Sequence, residues 1–376
     1  VDAASYSFGG SMSYALTNMA GTRPDSAFGA WLAHAADGLD TGTEPAAAVL
    51  PHLVDAGLAA AGVPVSCGGA GGDIVDGVAA VSAVAQGSLA AALVLWGHRT
   101  YIEYLLQSPN KALGAELLPS LLSGSLAGAT GLSNAMKFLA GLEPLQVTAE
   151  QEGETLTLNG RMPWVTNLRP QGFHVAAVVD HSDGGARVVS LAHDDAGLKR
   201  SKDLSLLAVR SSNTAAIALA NVEIKAKRIL HSNAREWLPQ VRPAFTGLQC
   251  GMSIGLARRA LAEAKNATVT ARVVLAEPLL ETEQQLDHAE KCLFAGLRSR
   301  SFEADAAPLF ELRLALAEIV SAALSLELQA AGGRAYLVES GRGFARRWRE
   351  AAFIPVITPS LVQLKTALQQ RQRSAA

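Results

Sequence analysis

Trp164-Val165-Thr166-Asn167 sets an indole and a hydroxyl close together, just after Leu158-Asn159-Gly160-Arg161. An aromatic face beside a hydroxyl suits either a bound ring or an ordinary core. Arg272 and the run Gln329-Ala330-Ala331-Gly332-Gly333 offer a second chemistry. A guanidinium grips a diphosphate bidentately, and paired glycines let backbone N–H groups approach one. Taken alone, the arginine is a surface charge and Gly332-Gly333 a helix stop. Thr130 and Ser133 add hydroxyls in a turn-like stretch. Trp96, His98 and Tyr101 share one helical segment, where a histidine can exchange protons near neutral pH or simply be bonded within the core. The glycines between Gly68 and Gly72 lack the Lys-Ser/Thr of a phosphate loop and read as a turn.

Composition narrows the field. The 376 residues are 49% hydrophobic and 18% charged, as in a globular chain, with length enough for one large core or two to three smaller ones. A formal net charge of -2 provides no basic field for nucleic acid. Cys67, Cys250 and Cys292 are widely spaced and odd in number, so neither a disulfide framework nor a zinc site is expected. No charged residue occurs from Gly77 to Gly97. The polar interruptions at Ser82, Gln86 and Ser88 favour two buried helices meeting at Gly87-Ser88 over one membrane span. Val1 to Ala20 lacks a basic leader with a long apolar core. A cytoplasmic protein is expected, without nucleic-acid or membrane partners.

The elements that must hold these residues fall into three regimes. Residues 1–124 read as a helical domain, including Glu44 to Leu58 closed by Gly57, and Asn110 to Leu122 with Asn110 as N-cap. Residues 125–230 read as an antiparallel β-domain. Its strands are expected at Leu145–Ala149, Thr155–Leu158, His174–Val179, Ala186–Leu191 and Thr214–Leu219, with turns at Glu152-Gly153 and Asp183-Gly184-Gly185. Residues 231–376 read as a helical bundle with long helices over Phe245–Ala267, Leu279–Arg298 and Leu309–Ala331. The expected fold class is α+β.

Leu158 to Asn167 resembles the central signature of the acyl-CoA dehydrogenase superfamily, L-N-G-x-K-x-W-I-T-N. Val63-Pro64 followed by Cys67 to Gly72, and Leu117-Leu118-Pro119 through Gly124, resemble further family segments. The resemblance implies a helical domain, a central β-domain and a C-terminal four-helix bundle. It implies FAD as cofactor, with Trp164 packed against the flavin, Thr166 bonded to its ring, and Thr130 and Ser133 as further contacts. Arg272, Gln329, Gly332 and Gly333 would then reach a neighbouring subunit's FAD, which implies a homodimer or homotetramer.

Resemblance fails at the catalytic base. Arg349-Glu350-Ala351-Ala352 matches the opening of a family segment that ends in the catalytic glutamate, and the count from it lands on Thr358. The alternative family position, just before an arginine, falls on Val241. No catalytic residue is therefore assigned; Glu350 is the nearest carboxylate, and His98 is a candidate acid or base. The expected function is an FAD-dependent oxidoreductase acting on an acyl thioester or related small substrate. A flavin monooxygenase on the same fold, and a non-catalytic subunit completing a composite FAD site, are the alternatives.

Overall fold

The computed structural model describes residues 26–267 and 273–375. Helices α1 (Ala27–Thr41), α2 (Val49–Asp55), α3 (Ile74–Gly87), α4 (Leu89–Gln107) and α5 (Lys111–Leu122) come first. Their ends follow capping chemistry: Ser26 accepts from Gly29 N, Asp73 and Asp76 form a capping box on α3, and Asn110 accepts from Leu113 N. The uncharged run is indeed two helices. They meet at Ser88, whose hydroxyl accepts from Ala91 N at the start of α4. No helix among the described residues is long and apolar enough to cross a membrane. Glu44 to Leu58 is only partly regular, a 3-10 turn at Ala46–Ala48 followed by α2, with Gly57 at φ 73 beyond its end.

Strands then follow: β1 (Ala127–Thr130), β2 (Val147–Glu152), β3 (Thr155–Val165), β4 (Phe173–His181), β5 (Ala186–Ala192), β6 (Leu198–Arg200), β7 (Ala215–Lys225) and β8 (Ile229–His231). A short helix, α6 (Ser133–Leu139), separates β1 from β2. The sheet runs β6-β7-β3-β2-β4-β5-β8, with β1 beside β4. It is rich in antiparallel pairs but not wholly so, because β4 runs parallel to both β1 and β2. Parallel neighbours arise from crossover connections rather than hairpins, and local alternation carries no trace of them.

Helix returns with α7 (Ala234–Asn266), α8 (Val273–Arg298), α9 (Ser301–Ala304), α10 (Ala307–Ala331), α11 (Arg342–Ala351) and α12 (Leu361–Ala375). Helices α7 and α8 start earlier than the sequence suggests, with Pro239, Pro243 and Pro278 inside them. Proline normally removes a helical hydrogen bond, so those turns read as breaks. Asn233 nonetheless caps α7 by accepting from Arg235 N and Glu236 N. Helix α7 packs against α3, α8 and α10. Gly251 and Gly255 sit against Val78 O and Ser82 O of α3, where a β-carbon would collide. That close seam fixes how the last helices sit on the first.

Candidate functional site

Strand β3 presents its chemistry through two irregularities. Its pairing with β7 shifts between Leu158 and Gly160 and again between Met162 and Val165. Gly160 adopts φ 139, and a β-carbon there would run into Gln146 O. Arg161 N donates to that same carbonyl at 3.2 Å. Within the second shift Trp164 turns outward and is 60% exposed, while Val165 and Thr166 turn in. Thr166 Oγ1 lies 3.1 Å from Thr214 Oγ1, itself 2.7 Å from Ser212 Oγ. Asn167, at φ 64, donates from Nδ2 to Gly128 O at 2.9 Å and anchors β3 to β1.

A cleft opens beside the indole. Arg161, Trp164, Ser133, Lys137, Glu143 and Gln146 are among its lining residues. Lys137 Nζ lies 3.2 Å from Glu143 Oε1, which also accepts from Asn134 Nδ2 at 2.8 Å. Arg161 makes no ion pair with any described residue. Gln146 Oε1 is buried without a hydrogen-bond partner. A bare aromatic face, an unpaired cation and an unused acceptor therefore share one recess.

Ser133 links this recess to the C-terminal segment. Its hydroxyl donates to Thr358 Oγ1 at 2.8 Å. Gln249 Nε2 donates to Thr358 O at 2.9 Å, and Gln249 Oε1 accepts from Arg313 Nε at 3.0 Å. Arg313 Nη2 also reaches Ile354 O at 2.6 Å. Because Ser133 spends its proton on Thr358, the Thr358 hydroxyl retains its own proton to donate elsewhere. No carboxylate belongs to this network.

Other sequence-derived candidates are placed differently. Thr130 is buried with its Oγ1 2.9 Å from Tyr104 OH. His98 is fully buried: its Nδ1 accepts from Gly128 N at 3.0 Å, and Nε2 lies 3.1 Å from Leu121 O. Burial, opposed by the bond to Leu121, lowers its pKa to about 3. Both ring nitrogens are committed to backbone, which corrects the reading of His98 as an acid or base. Trp96 packs edge-on against Phe245 and donates Nε1 to Phe245 O at 3.2 Å. Tyr101 OH lies 2.6 Å from Ser190 Oγ, which is 2.9 Å from His174 Nδ1, and this hydroxyl couple is buried. Val241 is fully buried.

Glu350 accepts from Leu89 N at 3.0 Å and so serves the start of α4. Burial raises its carboxyl to about 7, with Arg346 pulling the other way. Gln329 is bonded to Ser325 of its own helix, and Gly332 and Gly333 face open space beyond α10. Arg272 lies outside the described residues. Gly251-Met252-Ser253-Ile254-Gly255 has the G-x-S-x-G spacing of a nucleophile elbow. It runs through the middle of α7 with Ser253 buried, not through a strand-to-helix turn. Among the described residues no group of His, Cys, Asp and Glu is disposed to hold a metal ion.

Comparison with known proteins extends this picture. Residues 30–125 match the family described as acyl-CoA dehydrogenase, N-terminal domain. Mitochondrial isovaleryl-CoA dehydrogenase from Pongo abelii is 28% identical over 192 residues, 48% of this chain and 44% of that protein. The match thus spans less than half of that relative's length. Butyryl-CoA dehydrogenase from Megasphaera elsdenii superposes with a TM-score of 0.82 at 18% identity, covering 98% of this chain and 100% of the other. KijD3, solved with FMN and a dTDP-amino-keto sugar, gives a TM-score of 0.78 at 19% identity over 97% and 94% of the two chains. At such identities the structural likeness is one of fold.

Proposed function

Taking the chain as a divergent member of the acyl-CoA dehydrogenase superfamily, we propose that it is a flavin-dependent oxidoreductase whose flavin seats against Trp164. The outward indole beside a cleft that also holds Ser133, Lys137, Gln146 and Arg161 carries this reading. A tryptophan 60% exposed near the end of a strand leaves apolar ring surface in water, and a flat aromatic ligand covers such a surface well. Ser133, which lines the same cleft, would frame the bound molecule, whereas Thr166 is turned inward onto Thr214 and lies outside the cleft lining. Bound flavin would supply hydride acceptance, or oxygen activation in its reduced form. In the full reading the cofactor is FAD, and Arg272, Gln329, Gly332 and Gly333 belong to a neighbouring copy's site. The substrate would be an acyl thioester or a related small molecule.

A second reading, oxygenation in place of dehydrogenation, is favoured by the Ser133–Thr358 hydroxyl pair. Removal of an α-proton calls for a base within hydrogen-bond reach, worth roughly 10² to 10⁴ in rate. Thr358 is a neutral hydroxyl that already accepts a hydrogen bond from Ser133, so it suits donation to a substrate oxygen rather than abstraction. Glu350, turned to Leu89 N, is spent on α4.

The test begins with the visible spectrum of the purified protein after incubation with flavin. Absence of any flavin uptake sinks the proposal, and uptake only with a second protein favours the composite-subunit role. Anaerobic bleaching by acyl-CoAs supports dehydrogenation. Substrate-dependent oxygen consumption by reduced flavin, without bleaching, supports the oxygenase.

A further inference from the structure

We infer that Arg161, with Lys137 in reserve, binds the 5′-phosphate of the flavin in the cleft beside Trp164; this rests on the flavin reading above. Three features of the recess match three parts of one molecule. Trp164 offers a bare aromatic face to a ring. Gln146 Oε1, buried and without a partner, lacks a hydrogen-bond donor, and the hydroxyls of a ribityl chain are donors. Arg161 is a cation with no carboxylate paired to it among the described residues, and a guanidinium is the side chain best shaped for a phosphate. All three line the same cleft.

The local backbone keeps that arrangement. Gly160 lets β2 approach β3 so closely that Arg161 N bonds Gln146 O, which holds the guanidinium-bearing residue and the unused amide side by side. Gln146 N is held in turn by Asn134 Oδ1 at 2.9 Å, tying the recess to α6. The acid in the cleft is Glu143, and it is already engaged. Lys137 and Asn134 both bond it, so Lys137 is largely neutralised and Arg161 supplies the free positive charge. The same phosphate chemistry belongs to FMN and to the riboflavin-proximal phosphate of FAD.

Opposed substitutions separate this contact from general damage. Riboflavin, FMN and FAD are titrated by flavin fluorescence against wild type, Arg161→Gln and Glu143→Gln. Arg161→Gln is expected to weaken FMN about tenfold to a hundredfold while leaving riboflavin within about twofold. Glu143→Gln frees Lys137 and is expected to tighten FMN several-fold, again with riboflavin unchanged. Parallel effects on FAD place the contact at the phosphate the two cofactors share, whereas effects confined to FMN restrict the proposal to the mononucleotide. Equal losses for riboflavin and FMN, or no loss in Arg161→Gln, overturn the phosphate assignment while the flavin reading survives. Failure of wild type to bind any of the three overturns both.

Discussion

Thr358 receives a hydrogen bond from Ser133 and keeps its own proton, which makes it a donor held in place by Gln249 and Arg313. If this position faces the reacting carbon, a carboxylate there would restore proton abstraction. Thr358→Glu is therefore expected to speed anaerobic flavin bleaching by an acyl-CoA by about 10² or more, with stopped-flow absorbance as the readout. An unchanged rate in a folded, flavin-loaded variant would place the reacting carbon elsewhere. At this scale the sequence was uneven. Trp164, Ser133 and Thr358 were legible because residue types and spacing carry them, and two of them meet as a bonded pair. Gln249, Arg313 and Arg161 were not, since their importance comes from what lies opposite them in space.

Helix α11 reaches back to the first helices through a set of charges in which Glu350, Arg346 and Asp40 are buried and Asp37 and Arg349 are partly exposed. Glu350 receives Leu89 N, Arg346 pairs with Asp37 at 3.1 Å, and Arg349 pairs with Asp40, whose other oxygen accepts from Val209 N. The carboxyl of Glu350 is raised to about 7, above its ordinary 4.5. Between those values the unfolded chain has lost a proton that the folded chain retains. Its stabilising contribution is therefore full below about 4.5 and is lost as pH rises through about 7. Glu350→Gln keeps an acceptor for Leu89 N and cannot ionise. Its thermal midpoint should gain on wild type by about 2 °C or more between pH 5 and pH 8, measured by calorimetry. Parallel profiles would show that Glu350 stays ionised in the folded protein. Elements were the most legible level, because α3, α4, α5 and α10 announce themselves by periodicity and caps. Helix α6 and the short strands β1, β6 and β8 were lost, each too brief for a pattern.

The whole molecule leaves apolar surface beyond α10, where Tyr336, Leu337 and Val338 are exposed shortly after Gly332 and Gly333. A patch of this kind calls for a partner surface, and on the proposed reading that surface is another copy of this chain. Sedimentation should then give at least twice the 39.1 kDa chain mass. Gly333→Trp, placed in open space, should leave the fold intact by circular dichroism while lowering that mass. A monodisperse 39.1 kDa species in wild type would remove the shared-site reading. The order of helix, sheet and helix was readable from composition and period, whereas the parallel pairings of β4 were fixed by long-range topology that no local window contains.

His98 acts as a stitch. From α4 it holds Leu121 of α5 by one nitrogen and Gly128 of β1 by the other, spanning the link where helices give way to sheet. A second proton on the ring would point N–H at N–H across that link. The folded-state pKa is depressed from 6.5 to about 3, so the stitch is whole above about 6.5 and is lost as pH falls through about 3. Acid should therefore part this protein along a seam rather than fray it from an end, with Gly128 N–H exchanging with solvent before the interior of α10 does. Exchange in the reverse order would refute that sequence of events.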